Sequence, residues 1–175
     1  MDVTSDITKN LRVNVDEIIL HFLRVNGYDF GVIFPSSRLK GLYRLLEESD
    51  NFTIVNVTRE EEGVGVCAGA HLAGKKPFML IQSTGLGNSF NAIASLLKTY
   101  RIPILIIVSF RGYYKETIPA QIPLGEALPS MLDSMKIPFL VLDDTLESLE
   151  PFSNENYMKG ESHVVLLSPE LYEYE

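Results

Sequence analysis

Six short apolar, β-branched runs recur along this chain, spaced so that a helix fits between each pair. They are "FGVIF" (30–34), "FTIVNV" (52–57), "PFMLIQS" (77–83), "IPILIIVSF" (102–110), "PFLVLD" (138–143) and "HVVLLS" (163–168). None alternates strictly between apolar and polar residues, which is the pattern of parallel strands covered on both faces. The intervening segments carry helical spacing instead. In "VDEIILHFLRVNG" the residues Val15, Ile18, Ile19, Phe22 and Leu23 share one stripe, and Gly27 closes the helix. In "SRLKGLYRLLEES" the stripe is Leu39, Leu42, Leu45 and Leu46. Strand and helix alternating from end to end predict an α/β fold, a three-layer α/β/α sandwich around a central, mostly parallel six-stranded sheet. No linker or low-complexity segment interrupts the 175 residues, so the expectation is a single domain spanning 1–175.

The charge balance narrows the partners. With 15 basic and 23 acidic residues the net charge is −8, which argues against nucleic acid or an anionic membrane as the main partner. A local basic pocket for a small anion remains compatible with it. The opening "MDVTSDITKNLR" lacks the basic-then-apolar order of a signal peptide, and the longest apolar run, "IPILIIV" (102–108), is too short to span a bilayer. The single cysteine, Cys67, excludes an internal disulfide and a multi-thiolate zinc site. His21, His71 and His163 are too scattered to suggest a metal cluster. A soluble, cytoplasmic protein without a metal site of its own is the expectation.

In parallel α/β sheets ligands bind beyond the carboxyl ends of the strands, which directs attention to four connections. In "TREEEGVGVCAGAHLAGKKP" (58–77), Thr58 and Glu61 have capping-box spacing, and acidic residues suit a helix N-terminus. Small residues at 63, 65, 68, 69, 70 and 73 would let this helix lie close to the sheet. Glycines inside a helix cost roughly 1 kcal/mol each, so Gly63 and Gly65 imply a use for bare surface. Glu61, Gly65 and Ala68 fall near one face, where a flat group could lie within reach of the carboxylate. The glycine spacing is not that of a dinucleotide fingerprint, and three carboxylates precede it. At this stage a capped, tightly packed helix and a catalytic carboxylate are both open.

"STGLGNSFNAIASLL" reads as a strand-to-helix turn with Asn88 or Ser89 as N-cap. Its glycines serve either a tight turn or the close approach of a ligand, and it lacks the ending of a P-loop. "PSSRLK" offers Ser36 or Ser37 as a cap. "FRGYYKETIPAQIP" is a long loop bearing Arg111, Lys115, Glu116 and Gln121. Together with Arg38 and Lys40, Arg111 and Lys115 outline an anion pocket or simply exposed charge.

These four segments, in this order, resemble the pyrimidine-binding domain of thiamine-diphosphate-dependent decarboxylases. The resemblance runs nearly end to end and is nearest to the branch acting on sulfopyruvate, with the phosphonopyruvate branch next. It implies a cofactor-activating glutamate two positions before a small residue and seven before an alanine, a pattern that Glu61 meets with Gly63 and Ala68. That carboxylate would hydrogen-bond N1′ of the aminopyrimidine and favour its imino tautomer, and its desolvation by the cofactor would raise its pKa. The resemblance further implies cofactor contacts at Pro35, Ser36, Thr84, Gly85, Leu86, Gly87 and Asn88, with Thr84 where the family usually has serine. Substrate contacts would come from among Ser36, Arg38, Arg111, Lys115 and Gln121.

The family holds Mg²⁺ and diphosphate through a Gly-Asp-Gly motif with a downstream Asn, and no such triplet occurs in this sequence. The implied assembly is therefore a hetero-oligomer in which a beta subunit carries the diphosphate and metal half. The implied reaction converts sulfopyruvate to sulfoacetaldehyde and CO2, a step of coenzyme M biosynthesis. A decarboxylase subunit for phosphonopyruvate or another 3-substituted pyruvate is the nearest alternative. A non-catalytic α/β ligand-binding or regulatory module is the alternative of another class.

Overall fold

The computed structural model describes residues 15–142 and 146–172; the opening "MDVTSDITKNLR" and Asp143 at the end of "PFLVLD" lie outside them. All six apolar runs form strands: β1 (Phe30–Ile33), β2 (Thr53–Asn56), β3 (Pro77–Gln82), β4 (Leu105–Ser109), β5 (Phe139–Leu142) and β6 (His163–Leu167). They make one sheet in the order β2-β1-β3-β4-β6-β5, and every neighbouring pair is parallel. The helices are α1 (Val15–Val25), α2 (Lys40–Glu47), α3 (Glu60–Leu72), α4 (Ser83–Ala92), α5 (Ile122–Ser134) and α6 (Leu149–Met158). A π-helical stretch, Ile93–Lys98, prolongs α4.

Alternate strand residues feed two separate cores, as the pleat requires. Ile33, Leu80, Ile107 and Val165 pack with α1, α2 and Leu149 of α6 on one face. Val32, Met79, Ile81, Val108 and Leu166 pack with α3, α4 and α5 on the other. The amphipathic stripes read from the sequence supply the first core: Ile19, Leu23, Leu39, Leu42 and Leu46 are buried, with Leu45 packed against them. Gly27 closes α1 at φ 73°, a conformation that costs glycine little.

Strand order places the site. From β1 the chain passes to β2 on one side, then returns across β1 to β3 on the other, so connections diverge between β1 and β3. Such a switch point opens a crevice at the carboxyl ends of the strands. The segments that follow β1, β2, β3 and β4 all emerge at that end.

Candidate active site

The three glutamates divide at the start of α3. The helix begins at Glu60, with Arg59 in extended conformation as the flanking residue and no side-chain cap. The Thr58–Glu61 capping box expected from spacing is not formed: Thr58 Oγ1 instead donates to Glu62 Oε2 at 3.2 Å. The helix starts later than that box requires, so Glu62 rather than Glu61 comes round to the threonine. Glu61 lies on the outer face, where Arg59 Nε donates to its Oε1 at 2.8 Å. Its own backbone N–H and Arg59 hold its carboxyl below the ordinary carboxylate range.

Glu60 points the other way. It is 6% exposed, and a methyl group built on Gly85 would fall 2.5 Å from Glu60 Oε1 and 2.6 Å from its Cγ. Among the described residues no hydrogen bond or ion pair satisfies this carboxylate. Its oxygens are not among the fully buried unpaired atoms, so the little exposure Glu60 keeps leaves the carboxylate open to a partner from outside the chain at the ligand-binding end of a parallel sheet.

"STGLGNS" is helix, not turn. Strand β3 runs directly into α4, with Gln82 as the flanking residue, so Asn88 and Ser89 lie inside the helix rather than at its cap. Ser83, unremarked in the sequence, explains why the chain can turn here: its Oγ accepts from the Arg111 backbone N–H at 2.9 Å and donates to Ser109 O at 3.2 Å. Gly85 makes room for Glu60, and Gly87 faces Leu124 of α5, whose Cδ2 would meet an added Cβ at 3.0 Å. Leu86 is core, Thr84 is half-buried and Asn88 is exposed. The small residues of α3 also divide. Gly63 lets the helix approach Met79 and Val32 of the sheet, and Ala68 is buried, whereas Gly65 and Gly69 face open space. Glu61, Gly65 and Ala68 thus do not form one bare face.

A family model described as Thiamine pyrophosphate enzyme, N-terminal TPP binding domain, matches residues 13–137. The chain belongs to this family. A sulfopyruvate decarboxylase of Methanosarcina acetivorans is 44% identical over 163 residues, which are 92% of this chain and 42% of that protein. A sulfopyruvate decarboxylase subunit alpha of Methanocaldococcus jannaschii is 51% identical over 120 residues, covering 69% of this chain and 71% of that one. A phosphonopyruvate decarboxylase of Streptomyces viridochromogenes is 33% identical over 116 residues, 66% of this chain and 29% of its own length. The chain thus spans under half of the Methanosarcina protein but most of the alpha subunit. Among solved structures, a 2-oxoglutarate:ferredoxin oxidoreductase from Magnetococcus marinus shares the fold at a TM-score of 0.66 and 17% identity. That match covers 89% of this chain and 29% of the oxidoreductase.

The donor set of this TPP-binding domain fits the family's cofactor at one point in particular. Glu60 offers an unpartnered carboxylate of the kind a ring nitrogen with a shared proton would satisfy, and the bare Gly85 leaves that carboxylate its place. Ser36 begins the short 3₁₀ turn Ser37–Leu39 without capping it; its hydroxyl pairs with Ser109 Oγ at 3.2 Å and ties the end of β1 to that of β4. Pro35 and Ser36 line a cavity of about 220 Å³ with Phe34, Lys40, Tyr43 and Leu80 on the α2 side of the sheet.

The loop after β4 is held from within. Glu116, its side chain 3% exposed, accepts Arg111 Nε at 2.7 Å and Arg111 Nη2 at 3.2 Å. It also accepts the backbone N–H groups of Gly112, Thr117 and Ile118 at 3.1–3.2 Å. This net, with Arg111 foremost, pulls the Glu116 carboxyl down to about 2. Phe110 and Tyr113 stack at 4.4 Å, and Gly112 at φ 78° sits where a Cβ would strike Gln121 O. The five candidate substrate contacts therefore separate. Arg111 is committed to Glu116, Ser36 to Ser109, and Gln121 packs its backbone under Gly112 with its Oε1 buried and unpaired. Arg38 and Lys115 line a second cavity, of about 300 Å³, with Tyr114, Pro169 and Tyr172.

Proposed function

We propose that this chain is the pyrimidine-binding subunit of a thiamine-diphosphate-dependent 2-oxo acid decarboxylase acting on sulfopyruvate, in which Glu60 is the carboxylate that meets the aminopyrimidine. The observation that carries the reading is the buried, unpartnered Glu60 beside Gly85 in a chain of this family. The pattern of the family resemblance favours Glu61, but Glu61 stands half outside, neutralised by Arg59. Bound thiamine diphosphate supplies the electron sink for the pair left behind when CO2 departs. Glu60 would share a proton with N1′ of the pyrimidine, and its low exposure would limit the water competing for that hydrogen bond.

Mg²⁺ and the diphosphate fall to a partner subunit in this reading. It is supported by relatives named subunit alpha that this chain covers over 71% and 76% of their length, and by the longer Methanosarcina protein that it covers over 42%. Sulfopyruvate is favoured over phosphonopyruvate by identity, 43–51% against 33%. The ratio of kcat/KM for the two acids tests that choice.

The test of the catalytic assignment uses the chain assembled with its partner, thiamine diphosphate and Mg²⁺. Glu60→Gln is expected to lower kcat at least 100-fold, within the ~10²–10⁴ range of a positioned proton-transfer group. Glu61→Gln is expected to stay within about threefold of wild type, since exposed ion pairs contribute little. The reverse pattern would return the role to Glu61.

A further inference from the structure

We propose that Ser83 is a positioning residue for the reaction: its buried hydroxyl ties the start of α4 to the end of β4 and so holds Gly85 where the Glu60 carboxylate rests on it. This rests on the reading of Glu60 as the carboxylate that meets the cofactor.

A group that shares a proton with a bound ring must be placed to a fraction of an ångström. Glu60 takes its place from packing, since among the described residues no hydrogen bond or ion pair holds its carboxylate. A methyl group built on Gly85 would stand 2.5, 2.6 and 2.8 Å from Oε1, Cγ and Cδ of Glu60, so any displacement of Gly85 moves the seat of the carboxylate. Gly85 lies two residues after the first residue of α4, and that helix has no side-chain cap. Strand β3 passes into it through Gln82 in extended conformation. The usual side-chain anchor of a helix N-terminus is missing.

Ser83 supplies an anchor from another direction. It is fully buried, and among the described residues its side chain is the one in the first turn of α4 that is hydrogen-bonded. Its Oγ donates to Ser109 O at 3.2 Å and accepts from the Arg111 backbone N–H at 2.9 Å. That N–H is shared, because it also reaches Ser109 O at 2.9 Å. The three groups close a small ring at the end of β4. This strand is a firm base: β3 and β6 flank it, all its residues are buried, and the Phe110 N–H continues onto Leu167 O at 2.9 Å. One turn further along α4, Ser89 Oγ donates to Gly85 O at 2.8 Å, so Gly85 is held from both sides.

The same ring shows that the backbone does not need the hydroxyl. Without Oγ, the Arg111 N–H and Ser109 O still pair with each other, and neither is orphaned. What the hydroxyl adds is the position of α4. Beyond the ring, the Arg111 guanidinium is fixed by Glu116, so the tie from Gly85 runs without a break into the loop after β4.

The experiment uses the assembled complex with thiamine diphosphate and Mg²⁺, as wild type, Ser83→Ala, Glu60→Gln and the double variant. Beside turnover, it reads the melting temperature and the exchange of the thiazolium C2 proton of the bound cofactor for deuterium without substrate. Ser83→Ala is expected to slow exchange and kcat together by about tenfold, with KM for sulfopyruvate changed less than about threefold. Its melting temperature should fall by no more than about 4 °C. In the Glu60→Gln background the same substitution should change exchange less than about twofold, because the group it positions is already gone. Equal slowing in both backgrounds, or wild-type exchange in Ser83→Ala, overturns the inference and leaves Glu60 its role. A Ser83→Ala chain that fails to fold or assemble makes the serine structural and overturns the inference as well. Exchange untouched by Glu60→Gln overturns the functional reading, and this inference with it.

Discussion

Two side chains, Glu116 and His163, carry much of the local electrostatics without touching the crevice. His163 is fully buried at the start of β6; its Nδ1–H donates to Glu161 O at 3.0 Å. That leaves Nε2 to accept from Ser153 Oγ at 2.9 Å, and Ser153 in turn to accept from Tyr28 OH at 2.8 Å. Burial, with a smaller contribution from Lys76, pushes the imidazole down from 6.5 to about 4. A group whose folded pKa is depressed contributes stability above its unfolded pKa and loses it as pH falls. His163 therefore costs stability between about pH 6.5 and 4, and Glu116, lowered from 4.5 to about 2, does so between about pH 4.5 and 2. The melting temperature should decline continuously below pH 6.5, and His163→Gln should flatten the upper part of that decline. A pH-independent melting temperature from 6.5 to 4 in the wild type would contradict this account.

At the scale of elements, the pairing of α3 with α4 is the part of the fold on which the proposed site depends. The first turn of α3 lays Glu60 over Gly85, in the first turn of α4. Gly85→Ala separates function from stability. Alanine is favoured over glycine in a helix by roughly 1 kcal/mol, yet its methyl would occupy the place of the Glu60 carboxylate. The expected outcome is a kcat at least tenfold lower in the assembled complex with a melting temperature no more than about 2 °C below wild type. A fully active Gly85→Ala complex would mean that the position of Glu60 is not set by this contact. The sequence showed that a glycine pair lay at this junction but not what it faced. Gly85 and Gly87 read as turn residues, and became intelligible only beside Glu60 and Leu124.

At the scale of the molecule, the sheet gathers at one end the four loops that follow β1, β2, β3 and β4. Among the described residues no cluster of acidic, histidine or cysteine side chains has the makings of a metal site, and no helix is long and apolar enough to cross a membrane. Given thiamine diphosphate and Mg²⁺ but no partner, the chain is expected to release CO2 from sulfopyruvate at less than about 1% of the rate of the complex, in line with the many-decade barrier that a complete site must lower. Equal rates with and without a partner would show that it needs no second subunit.

The sequence by itself determined the layers. Apolar runs located all six strands, with ends differing by a few residues, and the leucine stripes of α1 and α2 located one core, because both signals are local periodicities of burial. It also narrowed the catalytic carboxylate to three neighbours and the anion contacts to a handful of residues. Only the tertiary structure shows how differently their side chains are placed. Successive helical residues point about 100° apart, so the difference between Glu60 and Glu61 is the difference between facing α4 and facing Arg59. Arg111 and Arg38 look alike in sequence until the fold brings both to Glu116, where Arg111 hydrogen-bonds the carboxylate and Arg38 makes only a 3.9 Å ion pair with it. Periodicity reports which face of an element is buried; which group it meets there depends on segments far away in the chain.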